Sequence, residues 1–190
     1  PRNTYVLYNG VDCSMFSPRV SNQKNHDVFR IGCVANFIDI KDHMTLIKAF
    51  EILHKESRTM RLSFLGSGEI RKSCENYLQK HGLMPYVEWN DEVCHDRLPE
   101  YYHTLDLFVL PSYFEGLGCV FLEAAACGIP FFGCLNQGYS EYVVEHGKWL
   151  IQPHDYIQLA TIIRQYAESP TKQNYRFSFD IDVLVRDYLT

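Results

Sequence analysis

Short apolar runs alternate with longer amphipathic ones along most of this chain, and that alternation limits the folds open to it. The runs Tyr5–Tyr8, Phe29–Ala35, Arg61–Leu65, Tyr86–Trp89, Leu107–Leu110, Pro130–Cys134 and Trp149–Ile151 have the length of strands. Most are apolar on both parities, the pattern of strands covered on both faces of a parallel sheet. Between them, Met44, Ile47, Phe50, Ile52 and Leu53 mark one face of a helix over Asp42–Lys55, with Asp42 as its cap. Further helices are expected over Glu69–His81 (ended by Gly82), Leu98–His103, Cys119–Cys127, after Gly138, and over Asp155–Ala167. Such repetition predicts an α/β fold with a doubly wound parallel sheet, in which ligands bind beyond the carboxyl ends of the strands.

Composition narrows the partners. The 190 residues are 46% hydrophobic and carry a formal net charge of -5, which suits one ordinary domain and no nucleic acid, since a phosphate-backbone binder shows a basic stripe. The seven cysteines are odd in number and form no C-x-x-C pair, so neither a disulfide framework nor a zinc ribbon is expected, and a cytoplasmic location is. The eight histidines lack H-E-x-x-H spacing, so no metal is expected. No apolar run reaches the roughly eighteen residues of a membrane-spanning helix, and Pro1–Thr4 does not read as a signal peptide.

Candidate chemistry gathers in Pro111 to Pro130. A strand runs into a loop with Gly116 and Gly118, the loop opens an alanine-rich helix, and Glu115 and Glu123 stand on either side of that helix start. A helix N-terminus after a glycine loop is an anion site. The two carboxylates could be an acid/base pair or could hold sugar hydroxyls. Each alone reads as a surface glutamate; together, beside the glycine loop, they read as functional. Gly66-Ser67-Gly68 follows a strand and precedes a helix, but Arg71 stands where a dinucleotide fingerprint has its third glycine, so the segment is as readily a plain turn as a ligand loop. Lys41, just beyond the run ending at Ala35, could neutralise a diphosphate, although a lone lysine is more commonly only solvated.

These motifs together resemble the C-terminal domain of the retaining glycosyltransferases of group 1, family four, one half of the B-type (GT-B) double-Rossmann architecture. Asn9-Gly10-Val11-Asp12 with Phe16 resembles the family's interdomain N-G-V-D-x-x-x-F. Val34-Ala35-Asn36-Phe37 with Lys41 resembles its G-R-L-x-x-x-K, Gly66-Ser67-Gly68 its G-x-G turn, and Pro111 to Pro130 its central E-x7-E region. The resemblance implies a Rossmann-like fold and a donor that is a nucleotide-diphosphate sugar. It implies that Glu115 and Lys41 serve catalysis, Glu115 on the sugar hydroxyls and Lys41 on the diphosphate. Asn36, Gly66, Gly68, Val93, the backbone of Gly116, Leu117, Gly118, Cys119 and Val120, and the Glu123 carboxylate on the ribose would complete the donor site. Neither a cofactor nor a metal is implied. Asn36 stands where the family carries arginine, and Asp42 and Trp149 where glycine is common.

The same resemblance divides the chain. Residues 1–16 correspond to an interdomain linker and first strand, 17–170 to the nucleotide-sugar domain, and 171–190 to a tail crossing back to an N-terminal domain that this chain lacks. The acceptor, a glycan or lipid-linked sugar in polysaccharide or glycolipid assembly, would sit on that other domain, with peripheral membrane association of the full-length protein, and the isolated domain would turn over little. The alternatives are a nucleotide-sugar epimerase or phosphorylase of the same architecture and a non-catalytic nucleotide-sugar-binding domain. A nicotinamide oxidoreductase fits least, its fingerprint being incomplete.

Overall fold

A computed structural model of the chain describes residues 9–19, 27–175 and 178–189. Six parallel strands form one sheet: β1 (Phe29–Val34), β2 (Met60–Leu65), β3 (Val87–Asn90), β4 (Leu107–Val109), β5 (Phe131–Cys134) and β6 (Leu150–Ile151), in the order β3-β2-β1-β4-β5-β6. The helices are α1 (His43–Glu56), α2 (Arg71–Lys80), α3 (Leu98–Tyr102), α4 (Cys119–Ala126), α5 (His146–Trp149), α6 (Tyr156–Glu168) and α7 (Ile181–Leu189). The central strands β4 and β5 are buried along their whole length, which their unbroken apolar sequences require. Leu46, Ala49, Phe50 and Leu53 form the buried stripe of α1, which packs on α2 and α6, while α3 packs on α4. The expected doubly wound sheet is thus the observed one.

Strand order reverses between β1 and β4. The chain runs outward from β1 through β2 to β3, then returns to the other side of β1, so the loops leaving β1 and β4 part from one another at the carboxyl end of the sheet. The parting loops frame a cleft.

Some elements depart from expectation. The helix expected after Gly138 is a 3-10 turn, Gly138–Tyr142, followed by the single turn of α5. Trp149 closes α5 rather than opening the last strand, which is only Leu150–Ile151. Packing in this stretch is dense: Tyr139, Tyr142 and Trp149 are all buried, with Tyr139 stacking on Phe121 at 3.6 Å. The helix expected from Glu69 starts at Arg71. Asp42 does cap α1, accepting the Thr45 N–H at 3.3 Å and the Thr45 hydroxyl at 2.7 Å. It does so in the left-handed conformation, φ 48°, so a cap worth about 1 kcal/mol offsets a backbone cost of about 1–2 kcal/mol. The strand expected at Tyr5–Tyr8 and the tail residue Phe177 lie outside the described residues. Elsewhere in the tail, Val11 donates to the Phe179 carbonyl at 2.8 Å and accepts from Ile181 at 3.0 Å, so the Asn9–Asp12 segment and the tail run side by side. The Gln173 amide is buried and bonds both the N–H and the carbonyl of Phe131, at 3.0 Å each.

One polar cluster ties α1 to α2. Glu51 accepts from Lys55 Nζ at 2.8 Å and the Tyr77 hydroxyl at 2.7 Å and pairs with His81 Nδ1 at 3.1 Å. The Lys55 bond, above all, holds its carboxyl down at about 2. A carboxyl depressed in the folded state stabilises it above the ordinary carboxylate range and loses that contribution as pH falls toward the folded value. Between about pH 4 and pH 2, the melting temperature of Glu51→Gln is therefore expected to fall less steeply on acidification than that of the wild type. Parallel slopes in thermal melts would show that Glu51 carries none of the acid sensitivity.

Candidate functional site

The cleft at the strand reversal has a volume of about 400 Å³. Its walls come from the end of β1 and the loop after it (Val34, Ala35, Asn36, Lys41), the end of β2 (Leu65, Gly66), the loop after β3 (Glu92, Val93, Leu98) and the loop from β4 into α4 (Leu110, Glu115, Gly118, Cys119, Val120). Of the residues singled out in the sequence, Lys41, Asn36, Gly66, Val93, Glu115, Gly118, Cys119 and Val120 line it. Gly68, Gly116, Leu117 and Glu123 stand close in the chain but do not line it themselves.

Lys41 and Glu115 meet in this cleft. Lys41 ends a 3-10 turn, Asp39–Lys41, formed by the loop after β1, and Glu115 leaves the loop after β4. Lys41 Nζ donates to Glu115 Oε2 at 2.5 Å, and both side chains are mostly shielded, 19% and 14% exposed. The same carboxylate oxygen accepts the Ser112 hydroxyl at 3.3 Å. The backbone beneath is clamped by Gln137, which accepts the Glu115 N–H at 2.6 Å and donates to the Tyr113 carbonyl at 3.2 Å and the Leu135 carbonyl at 3.3 Å. Sequence reasoning missed Gln137, because its side chain reaches back 22 residues and no local pattern announces such a contact.

Helix α4 points its first turn at the cleft. Gly118 precedes it in the left-handed conformation, φ 66°, a conformation glycine enters without strain. The Phe121 N–H is taken by the Gly118 carbonyl at 3.0 Å. The N–H groups of Cys119 and Val120 belong to the first turn, where a helix supplies no acceptor, and both residues line the cleft. These donors and the partial positive charge of the helix end make this wall suited to an anion.

Glu123 lies one turn further on and is buried, 6% exposed. Its Oε2 accepts from the Tyr102 hydroxyl at 2.8 Å, and its Oε1 faces His95 Nε2 at 3.3 Å. Burial, then the nearby Glu123 charge, pushes the Tyr102 phenol well up, so Tyr102 stays a donor. His95 itself is exposed and sets its ring edge-on to the buried Phe16 at 5.2 Å. One carboxylate oxygen is thereby fixed in the core and the other turned toward an exposed partner. Neither Tyr102 nor His95 was foreseen as a contact of Glu123; only the fold brings α3 beside α4.

The Gly66-Ser67-Gly68 segment has a packing reason as well as a place at the cleft. Gly66 adopts φ 138°, and a side chain there would run into the Ala35 carbonyl. Ser67 accepts the Phe37 N–H at 2.7 Å, which binds the loops after β1 and β2 together. His43, next to the cleft loop, is buried and stacks on Phe37 at 3.9 Å. Burial first, and Lys41 second, push it down to about 4, so the ring is neutral.

Among the described residues no helix is long and apolar enough to cross a membrane. A family model described as "Glycosyl transferases group 1" matches residues 16–178. The chain is 27% identical over 153 residues to the GDP-mannose-dependent alpha-(1-6)-phosphatidylinositol monomannoside mannosyltransferase of Mycobacterium tuberculosis (strain ATCC 25618 / H37Rv), covering 73% of this chain and 40% of that protein. Among solved structures it resembles the C-terminal domain of a glycosyl transferase group 1 family protein (LpcC) from Francisella tularensis, with TM-score 0.77, 20% identity, and 94% and 98% of the two chains covered. It also resembles Anabaena Alr3699/HepE in complex with UDP, with TM-score 0.83, 22% identity, and 97% and 56% covered. The chain spans less than half the length of the curated relatives it matches, 34% of one and 48% of another. By the extent of the family match, and with the expected Rossmann-like fold in place, this chain belongs to the group 1 glycosyl transferases.

Proposed function

We propose that the cleft holds the donor of a glycosyl transfer, a nucleotide-diphosphate sugar, and that the chain is the donor-binding domain of a retaining glycosyltransferase. The observation that carries this reading is the Lys41–Glu115 pair facing the first turn of α4 across the strand reversal. A diphosphate placed there meets the Lys41 ammonium on one side and the N–H groups of Cys119 and Val120 on the other. Glu115, released from Lys41, accepts the hydroxyls of the donor sugar. The base lies toward Val93, beside Leu98 in the cleft wall. Glu123 takes the ribose hydroxyls through Oε1, with His95 giving way. The group 1 family match and the transferase names of the relatives support glycosyl transfer over epimerisation or phosphorolysis.

In this reading the bond between the anomeric carbon and the diphosphate oxygen breaks as the acceptor hydroxyl adds to the same face, its proton passing to the departing diphosphate oxygen, and the configuration is retained. The domain's part is to stabilise charge on the departing diphosphate, work for which preorganised donors are suited. We place Glu115 as a hydroxyl anchor rather than a nucleophile, and the leaving group's charge is met by Lys41 and the helix end without a metal. The acceptor, a glycan or lipid-linked sugar, is bound by a separate domain of the full-length enzyme, which works in the cytoplasm at the membrane face.

Calorimetry against UDP, GDP and ADP is expected to show binding of at least one, tighter than its monophosphate. A folded sample that binds none would sink the donor assignment. Lys41→Ala is expected to lose about tenfold or more in diphosphate affinity, the scale of a charge-assisted contact, with the monophosphate less affected. For Glu123→Ala, the comparison is between the ribonucleoside diphosphate and its 2′-deoxy form. The wild type is expected to prefer the ribose form and the variant to bind both equally; an unchanged preference would remove Glu123 from the ribose.

A further inference from the structure

Asp42 and His154 are non-glycine residues with left-handed backbones, φ 48° and 66°, and their side chains meet. His154 Nδ1 lies 2.7 Å from Asp42 Oδ2, and since a carboxylate only accepts, Nδ1 carries the proton. The two come from loops far apart in sequence, after β1 and after β6. The His154 ring also lies against Tyr113, centroids 4.9 Å apart, and the Tyr113 N–H donates to the Ile40 carbonyl at 3.1 Å. Ile40 and Asp42, the residues on either side of Lys41, are thus each tied to a different neighbour, and those neighbours touch one another. Lys41 leaves the middle of a closed frame that joins the loops after β1, β4 and β6.

We propose that His154 is a positioning residue that sets Lys41 across the cleft from the first turn of α4, acting through Asp42 and Tyr113 and without touching the donor. The proposal rests on the donor reading given above. A purely local role for His154 would be to fill a left-handed position, and glycine fills such a position better than histidine. A positioning role needs the hydrogen bond to Asp42. Asparagine separates the two, because it tolerates the left-handed region and carries Nδ2 at the same bond distance from its Cα as histidine carries Nδ1.

The test compares wild type, His154→Gly and His154→Asn by calorimetry, using whichever of UDP, GDP and ADP binds the wild type most tightly, together with its monophosphate. Thermal melts establish that each variant is folded. His154→Gly is expected to lose about three- to tenfold in diphosphate affinity, the fold-change of one net hydrogen bond, while keeping its monophosphate affinity. His154→Asn is expected to restore most of the loss. Wild-type diphosphate affinity in His154→Gly overturns the proposal, as does an equal loss for both nucleotides accompanied by a lowered melting temperature. Absence of nucleotide binding by the wild type overturns the donor reading itself and the proposal with it, and is told apart from the other outcomes by that control.

Discussion

Everything at the cleft depends on the reversal of strand order between β1 and β4. Had the chain continued past β3 in one direction, the loops after successive strands would lie side by side and cover the strand ends. Because β4 returns to the far side of β1, the loop carrying Lys41 and the loop carrying Glu115 diverge from adjacent strands. They are near enough for a 2.5 Å contact and far enough apart to leave a cavity of about 400 Å³ beside it. The aromatic core below, where Phe108, Phe121 and Phe131 pack edge to face, fixes both strands and the start of α4. The site is therefore a consequence of topology held by a close-packed core.

The charges in the cleft compensate one another. A lysine and a glutamate each less than a fifth exposed would be costly to shield singly, and pairing offsets part of that cost. Under the proposed donor reading, a ligand that supplies an anion for Lys41 and hydroxyls for Glu115 would let each group exchange one partner for another. Gln137 matters here. It anchors the backbone on both sides of Phe114. Glu123 solves the same problem differently, with a buried phenol on one oxygen and an exposed imidazole on the other.

Much of this was legible in the sequence, and for identifiable reasons. Strands such as Leu107–Val109 and Phe131–Cys134 are short, apolar on both parities and bounded by turn residues, so period and length alone locate them. Glu115, Gly118 and the α4 start are contiguous in the chain, and contiguity is what a motif records. The region from Gly138 to Trp149 was read less well. Its pattern is amphipathic enough for a helix, but two buried tyrosines and a buried tryptophan override local preference through tertiary packing. The partners of the functional groups were illegible in kind: Gln137 on Glu115, Tyr102 and His95 on Glu123, His154 on Asp42. Each joins loops or helices that only the folded sheet brings together, and none has a spacing to read.

The two glutamates show why identity of residue type does not fix identity of role. Both are carboxylates flanking one helix start, and the sequence offered them as a symmetrical pair. The fold makes them unequal. Glu115 stands before the helix on a clamped loop, with a cation and a hydroxyl as partners and an open cavity beside it. Glu123 stands on the helix itself, buried against Tyr102, and presents only one oxygen outward. An acid/base couple working on one bond would need both groups at a common cavity wall, and only Glu115 lines it. Under the proposed donor reading the two would be anchors at separate parts of an elongated ligand, Glu115 at the cavity and Glu123 reached only when the exposed His95 moves off its outward oxygen.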